Sequence, residues 1–188
     1  ENDQKRIVFL VEAKSKDNQM LLETMKGMYA SGMKDFVTAV DESSVILVKA
    51  LEETDGYREV YESAKSIADT VSAEAMVNIR VSYGTIIHEL KDVSKSYKEA
   101  GMALDVGRIF YPGHNILAYN ELGIGRLIHQ LPLSLCDMFL KEVFGERDVS
   151  EFEEETLSTV YKFFENNLNI SETARQLYIH RNTLVYRL

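Results

Sequence analysis

Five consecutive apolar residues, Ile7-Val8-Phe9-Leu10-Val11, constrain the fold more than any other part of the chain. The run is rich in branched side chains and short for a helix, so it reads as a buried strand. Beyond it the chain alternates between strand and helix periods. Asp17 or Asn18 is placed to cap a helix that carries Leu21, Met25 and Met28 on one face and closes near Gly32. Phe36 to Val40 and Val45 to Val48 are strand-like runs, with Asp41-Glu42-Ser43-Ser44 between them as a hairpin connection. Tyr57, Val60, Tyr61, Ala64, Ile67, Ala68 and Val71 then keep the i, i+3, i+4, i+7 spacing of an amphipathic helix. Val77, Ile79, Val81 and Tyr83 alternate with Asn78, Arg80 and Ser82, which predicts a strand with one wet face.

The order βαββαβ predicts a ferredoxin-like α+β domain: an antiparallel sheet with helices packed on one face. A further helix, with Val93, Tyr97, Ala100, Leu104 and Gly107 on one stripe, and a short strand from Ile116 to Tyr119 close the unit. Strand signals stop at Leu122. Leu122 to Leu131, Pro132 to Phe144 and Ser150 to Asn166 read as helices, the last opened by a capping box of Ser150 and Glu153. Gly145 stops the helix before it and begins a polar linker to Val149. The expected organisation is therefore residues 1–121 as one domain and 122–188 as an all-helical second domain.

Charge decides which function classes stay open. The net charge of −9 argues against nucleic acid, since a binder must neutralise phosphates. The charge is uneven, however. From Ile170 to Leu188 three arginines (Arg175, Arg181, Arg187) face one acid, Glu172, leaving 18 basic and 29 acidic residues, or −11, for the rest. Cys136 is the only cysteine, so no intrachain disulfide forms, and it reads as a small buried hydrophobe in a reducing cytoplasm. No apolar run approaches the roughly 20 residues of a membrane span. The start, Glu1-Asn2-Asp3-Gln4, has neither a signal-peptide pattern nor an initiator Met, and the chain reads as a piece of a longer cytoplasmic protein.

The basic tail fits a helix-turn-helix. Ala174 is the small residue that lets two short helices cross, and Leu177, Ile179, Leu184 and Leu188 are the expected apolar contacts. The opposite face presents Arg181, Asn182, Val185 and Tyr186, with His180 and Thr183 at the helix entry. Arg pairs with guanine, Asn with adenine, and hydroxyls with phosphates. Arg181, Asn182 and Tyr186 are thus the candidate base-edge contacts, and His180, Thr183 and Arg187 the phosphate contacts. Arg175, on the first helix, is placed to touch the backbone. The turn position often taken by Gly is Tyr178, at a conformational cost if its φ is positive. An ordinary helical hairpin with a basic tail is the other reading of the same spacing.

The block His180-Arg181-Asn182-Thr183-Leu184, followed by Tyr186-Arg187-Leu188, resembles the C-terminal helix-turn-helix of the carbohydrate diacid regulator (CdaR) and purine catabolism regulator (PucR) family. Tyr161-Lys162-Phe163-Phe164-Glu165-Asn166-Asn167-Leu168-Asn169 is similar to that family's lead-in helix. The factor for inversion stimulation is a more distant likeness. Val81-Ser82-Tyr83-Gly84, Ser96-Tyr97-Lys98-Glu99-Ala100, Ala103-Leu104 and Gly107-Arg108 are similar to the domain that precedes the motif there, a degenerate relative of diguanylate cyclase (GGDEF) domains with a ferredoxin-like core. The resemblance implies a transcription regulator of a catabolic or transport operon. It implies operator DNA as partner, a homodimer, and a small-molecule effector bound by a region outside this chain.

An enzyme is the rival class. A working cyclase needs two carboxylates for Mg²⁺ near the end of the first strand and a glycine pair in the hairpin. Here the strand ends in Glu12-Ala13-Lys14, Asp17 reads as a cap, and the hairpin has no glycine. His88, His114 and His129 share no metal-ligand spacing, and Gly123-Ile124-Gly125 is too short for a nucleotide fingerprint. The expectation is no catalysis, no cofactor and no metal. A third class is an assembly module, in which residues 1–121 dimerise or relay a signal. The chain stops about two turns into its recognition helix at 3.6 residues per turn, so the piece by itself is expected to bind DNA poorly.

Overall fold

The computed structural model describes residues 4–13, 19–30, 32, 34–75, 77–145 and 149–188. The apolar run lies inside β1 (Arg6–Ala13), the central strand of a five-stranded sheet. With β2 (Phe36–Ala39), β3 (Ser44–Ala50), β4 (Ile79–Tyr83) and β5 (Ile116–Ala118), the order is β2-β3-β1-β4-β5. The first four strands pair antiparallel in the ferredoxin-like arrangement, and β5 adds parallel to β4. The β2–β3 connection is the expected hairpin. Asp41 accepts hydrogen bonds from the amide (2.8 Å) and hydroxyl (3.1 Å) of Ser43, which hold its carboxyl below the usual carboxylate range.

Period 2 along β1 splits its side chains between two cores. Ile7, Phe9, Val11 and Ala13 pack under α1 (Gln19–Tyr29) and α2 (Tyr57–Ala75), together with Leu21, Met25, Val60, Ala64, Ile67 and Val71. Each such large side chain contributes about 1.5–3 kcal/mol. The Asp17 or Asn18 cap expected for α1 lies outside the described residues. Leu10 instead faces α3 (Val93–Phe110), where it meets Ala100, Ala103, Leu104 and Leu117.

Helices therefore cover both faces of the sheet, not the one face expected. The alternation in β4 predicts a wet face, yet Ser82 is 0% exposed because α3 lies over it. Polar atoms buried there are satisfied. Ser82 donates to the Leu10 carbonyl (3.3 Å), and Ser96 donates to that of Thr85 (2.9 Å) while accepting from the Val8 amide (3.3 Å). Glu99 accepts from the Thr85 amide (2.8 Å) and hydroxyl (2.5 Å).

The chain divides into two compact units, Glu1–Gln130 and Leu131–Leu188. The boundary expected at Leu122 falls inside the first. Leu122 is buried with Leu104 and Leu117, and Gly125 of α4 (Ile124–His129) comes close to Val106 and Phe110. The second unit holds α5 (Leu133–Phe144), α6 (Glu154–Glu165), α7 (Ile170–Gln176) and α8 (Arg181–Arg187). Gly145 caps α5 at φ 67° as expected, and residues 146–148 of the linker lie outside the described set. Cys136 is half-buried on α5. Ser150 does not open α6, because Val149–Glu151 is a separate 3-10 turn and α6 starts at Glu154, with Glu153 at its N-cap. No helix among the described residues is long and apolar enough to cross a membrane.

Candidate nucleic-acid interface

The tail folds as two short helices because local chemistry stops and restarts the chain at fixed points. Asn169 caps α7 by accepting from the Glu172 amide (3.1 Å). At the other end Ile179 donates back to the Ala174 carbonyl (3.0 Å) and Tyr178 to that of Arg175 (3.2 Å). This is a Schellman closure, and it places Tyr178 at φ 55°. The same closure ends α6, with Asn167 and Leu168 at φ 51° and 63°. His180 then caps α8, its Nδ1 accepting from the Asn182 amide (3.2 Å).

Packing holds the pair rigid. Thr173 and Ala174 of α7 and Leu184 of α8 are buried, the last at 0% exposure. Leu177 and Ile179 are half-buried, whereas Leu188, expected to point inward, is 49% exposed. Asn166 ties α6 to α7, donating to Thr173 Oγ1 and Gln176 Oε1, each at 3.3 Å.

The candidate contacts separate into two groups. His180, Arg181, Asn182, Thr183 and Tyr186 are exposed together with Val185 on and beside α8. Arg175 and Arg187 each carry an ion pair, Arg175 as an exposed side chain and Arg187 as a half-buried one. Arg175 grips Glu172 through two nitrogens (2.6 and 3.0 Å), and that fork holds the Glu172 carboxyl down at about 2. Arg187 pairs with Glu155 of α6 at 2.8 Å and is 27% exposed. Among the described residues, Arg181 is the cation of this segment with no ion pair. In the sequence Glu155 is one acid of a solvated helix start. Its role depends on α6 and α8 meeting, which no local spacing reports.

In the first unit, the strand-end carboxylate Glu12 pairs with Arg108 of α3, which also holds Asp105 at 2.8 Å. No cluster of three His, Cys, Asp or Glu fit for a metal occurs among the described residues.

A model of the GGDEF-like domain matches residues 1–106, and a model of the PucR C-terminal helix-turn-helix domain matches residues 156–188. This chain belongs to the PucR-type regulator family. The purine catabolism regulatory protein of Bacillus subtilis (strain 168) is 30% identical over 149 residues, which is 77% of this chain and 28% of that protein. The PucR-type chain thus spans under a third of the length of the curated relative it matches. The crystal structure of a regulator of polyketide synthase expression from Bifidobacterium adolescentis aligns over 100% of this chain and 71% of its own, with TM-score 0.47 and 14% identity. Val81 to Val106 lies in the first matched region and His180 to Leu188 in the second.

Proposed function

We propose that the chain is the regulatory and DNA-reading part of a transcription factor for a catabolic operon. In this reading α8 enters the major groove. Arg181, Asn182 and Tyr186 meet base edges, and His180 and Thr183 meet phosphates. One observation carries it: α8 shows an outward face of Arg181, Asn182, Val185 and Tyr186 while its inward face is anchored by Leu184 and by the Arg187–Glu155 pair. A helix docked in a groove must be held from behind, because a loose helix loses in ordering entropy what its contacts gain. Arg175 and Arg187 serve as internal ties in this reading, and the positive field at the groove comes from Arg181.

The first unit acts without catalysis, and the commitment of Glu12 to Arg108 supports that. The full-length protein works as a homodimer in the cytoplasm, where its DNA is, with a small-molecule effector bound outside this chain. Two half-sites multiply a contact that one short helix makes weakly.

Fluorescence anisotropy with the full-length protein and duplex from upstream of its own operon tests this. Arg181→Ala should cost about 1–3 kcal/mol and relax base preference at one position. Binding unaffected by that substitution would remove α8 from the groove.

A further inference from the structure

Tyr178 combines a positive φ with a large and almost fully exposed side chain. Its φ of 55° lies in the left-handed region, which strains an L-residue and not glycine. A Schellman closure asks only for that backbone, so glycine would close α7 more cheaply. A large side chain at such a site normally recovers the cost by packing. Tyr178 does not: it is 96% exposed, and its side chain has no hydrogen bond, ring contact or ion pair among the described residues. The two hydrogen bonds of the closure account for the backbone of that turn, and the exposed ring and hydroxyl are left for a contact outside the chain.

Position and charge say which contact. In a docked helix-turn-helix the first helix crosses the phosphate backbone and the second enters the groove by its N-terminal residues. The turn joining them therefore lies over the backbone at the groove's edge, and Tyr178 is in that turn, two residues before the His180 cap. Glu172 and Glu155 pair with two of the segment's three arginines, so a neutral donor in the turn adds to what Arg181 offers a phosphate. A phenol hydroxyl donates to a phosphate oxygen without a formal charge.

We infer that Tyr178 is a DNA-backbone contact, its hydroxyl donating to a phosphate oxygen. The inference rests on the DNA-binding reading above and adds a residue to it. A phosphate contact is independent of sequence, so any duplex reports it.

The experiment uses the full-length protein, a fluorescein-labelled mixed-sequence duplex of about 30 base pairs and a salt titration. Tyr178→Gly should raise the unfolding midpoint of the helix-turn-helix unit while weakening binding about five- to tenfold. Tyr178→Phe keeps the strain and the ring, so it should leave the midpoint unchanged and weaken binding by a similar factor. Both should keep the native salt slope, since no charge is lost, whereas Arg181→Ala should make the slope shallower by about one. Native affinity in Tyr178→Gly or Tyr178→Phe, with Arg181→Ala still impaired, overturns this contact and leaves the DNA reading standing. Loss in Tyr178→Gly alone assigns the role to the ring and also overturns the phosphate bond. Absence of any duplex binding by the native protein overturns both readings.

Discussion

Gly84 is the position where one added methyl group should do the most damage. It comes directly after β4, at the point where the strand end meets α3, and a Cβ built there would sit 2.6 Å from Ser96 Oγ and 2.8 Å from the Ser96 carbonyl carbon, closer still to the carbonyl oxygen. The obstacle is helix backbone, so no side-chain rotation relieves it. Gly84→Ala must push α3 off the sheet. Overpacking of this kind costs about 1–3 kcal/mol, and the shift also strains the Ser96 bonds to the Thr85 carbonyl and the Val8 amide, each worth about 1 kcal/mol. Together the expected loss is about 3–5 kcal/mol. At roughly 3 °C per kcal/mol for a chain of this size, Tm should fall by about 9–15 °C. Far-UV circular dichroism measures both, the free-energy loss by urea unfolding and the Tm by a thermal scan. Gly27→Ala is the control: it lies exposed within α1 with nothing within 4 Å of an added Cβ, and should gain about 0.5–1 kcal/mol. The double variant Gly84→Ala, Ser96→Ala should be no more stable than Gly84→Ala alone. A loss below 1 kcal/mol, or full rescue by removing the Ser96 hydroxyl, would refute the backbone-clash reasoning.

Three further outcomes are expected. Leu184→Ala should destabilise the helix-turn-helix unit by about 2–5 kcal/mol, visible as loss of amide-exchange protection in α7 and α8 with β1 still protected. The Glu172 carboxyl, lowered first by its hydrogen bond from Arg175, should titrate near 2 by NMR and move back toward its ordinary 4.5 in Arg175→Ala. Because the folded value is depressed, any stability it supplies is present above pH 4.5 and lost as pH falls through about 2. Arg187→Ala, breaking a pair that is exposed on its Glu155 side, should cost no more than about 1 kcal/mol of stability and leave the salt slope of DNA binding as it is, a result unlike that for Arg181→Ala.

Element types were legible because they depend on local period. The continuous run in β1, the amphipathic stripe from Tyr57 to Val71 and the Asp41 hairpin each report a nearest-neighbour geometry that the chain adopts. The alternation in β4 misleads for a physical reason. Serine is small and can hydrogen-bond, so it serves either a wet face or a buried one, and only the arrival of α3 turned Ser82 inward. The start of α6 differs similarly: Ser150 and Glu153 have capping-box spacing, but Ser150 lies in a 3-10 turn and α6 begins after Glu153.

The recognition face shows the same division. Sequence alone determined where α8 starts, since His180 accepts from an amide two residues on, and which side faces in, since Leu184 is the apolar residue at the crossing. It also determined that Tyr178 would occupy the turn. Tertiary structure decided the charges. Arg175, Arg181 and Arg187 are chemically identical in the sequence, and their roles diverge because an ion pair depends on which acid comes within about 4 Å. Glu172 is one helical turn from Arg175, whereas Glu155 is far from Arg187 in sequence and reaches it by the packing of α8 on α6. That long-range approach leaves Arg181, among the described residues, as the cation of this segment without an ion pair.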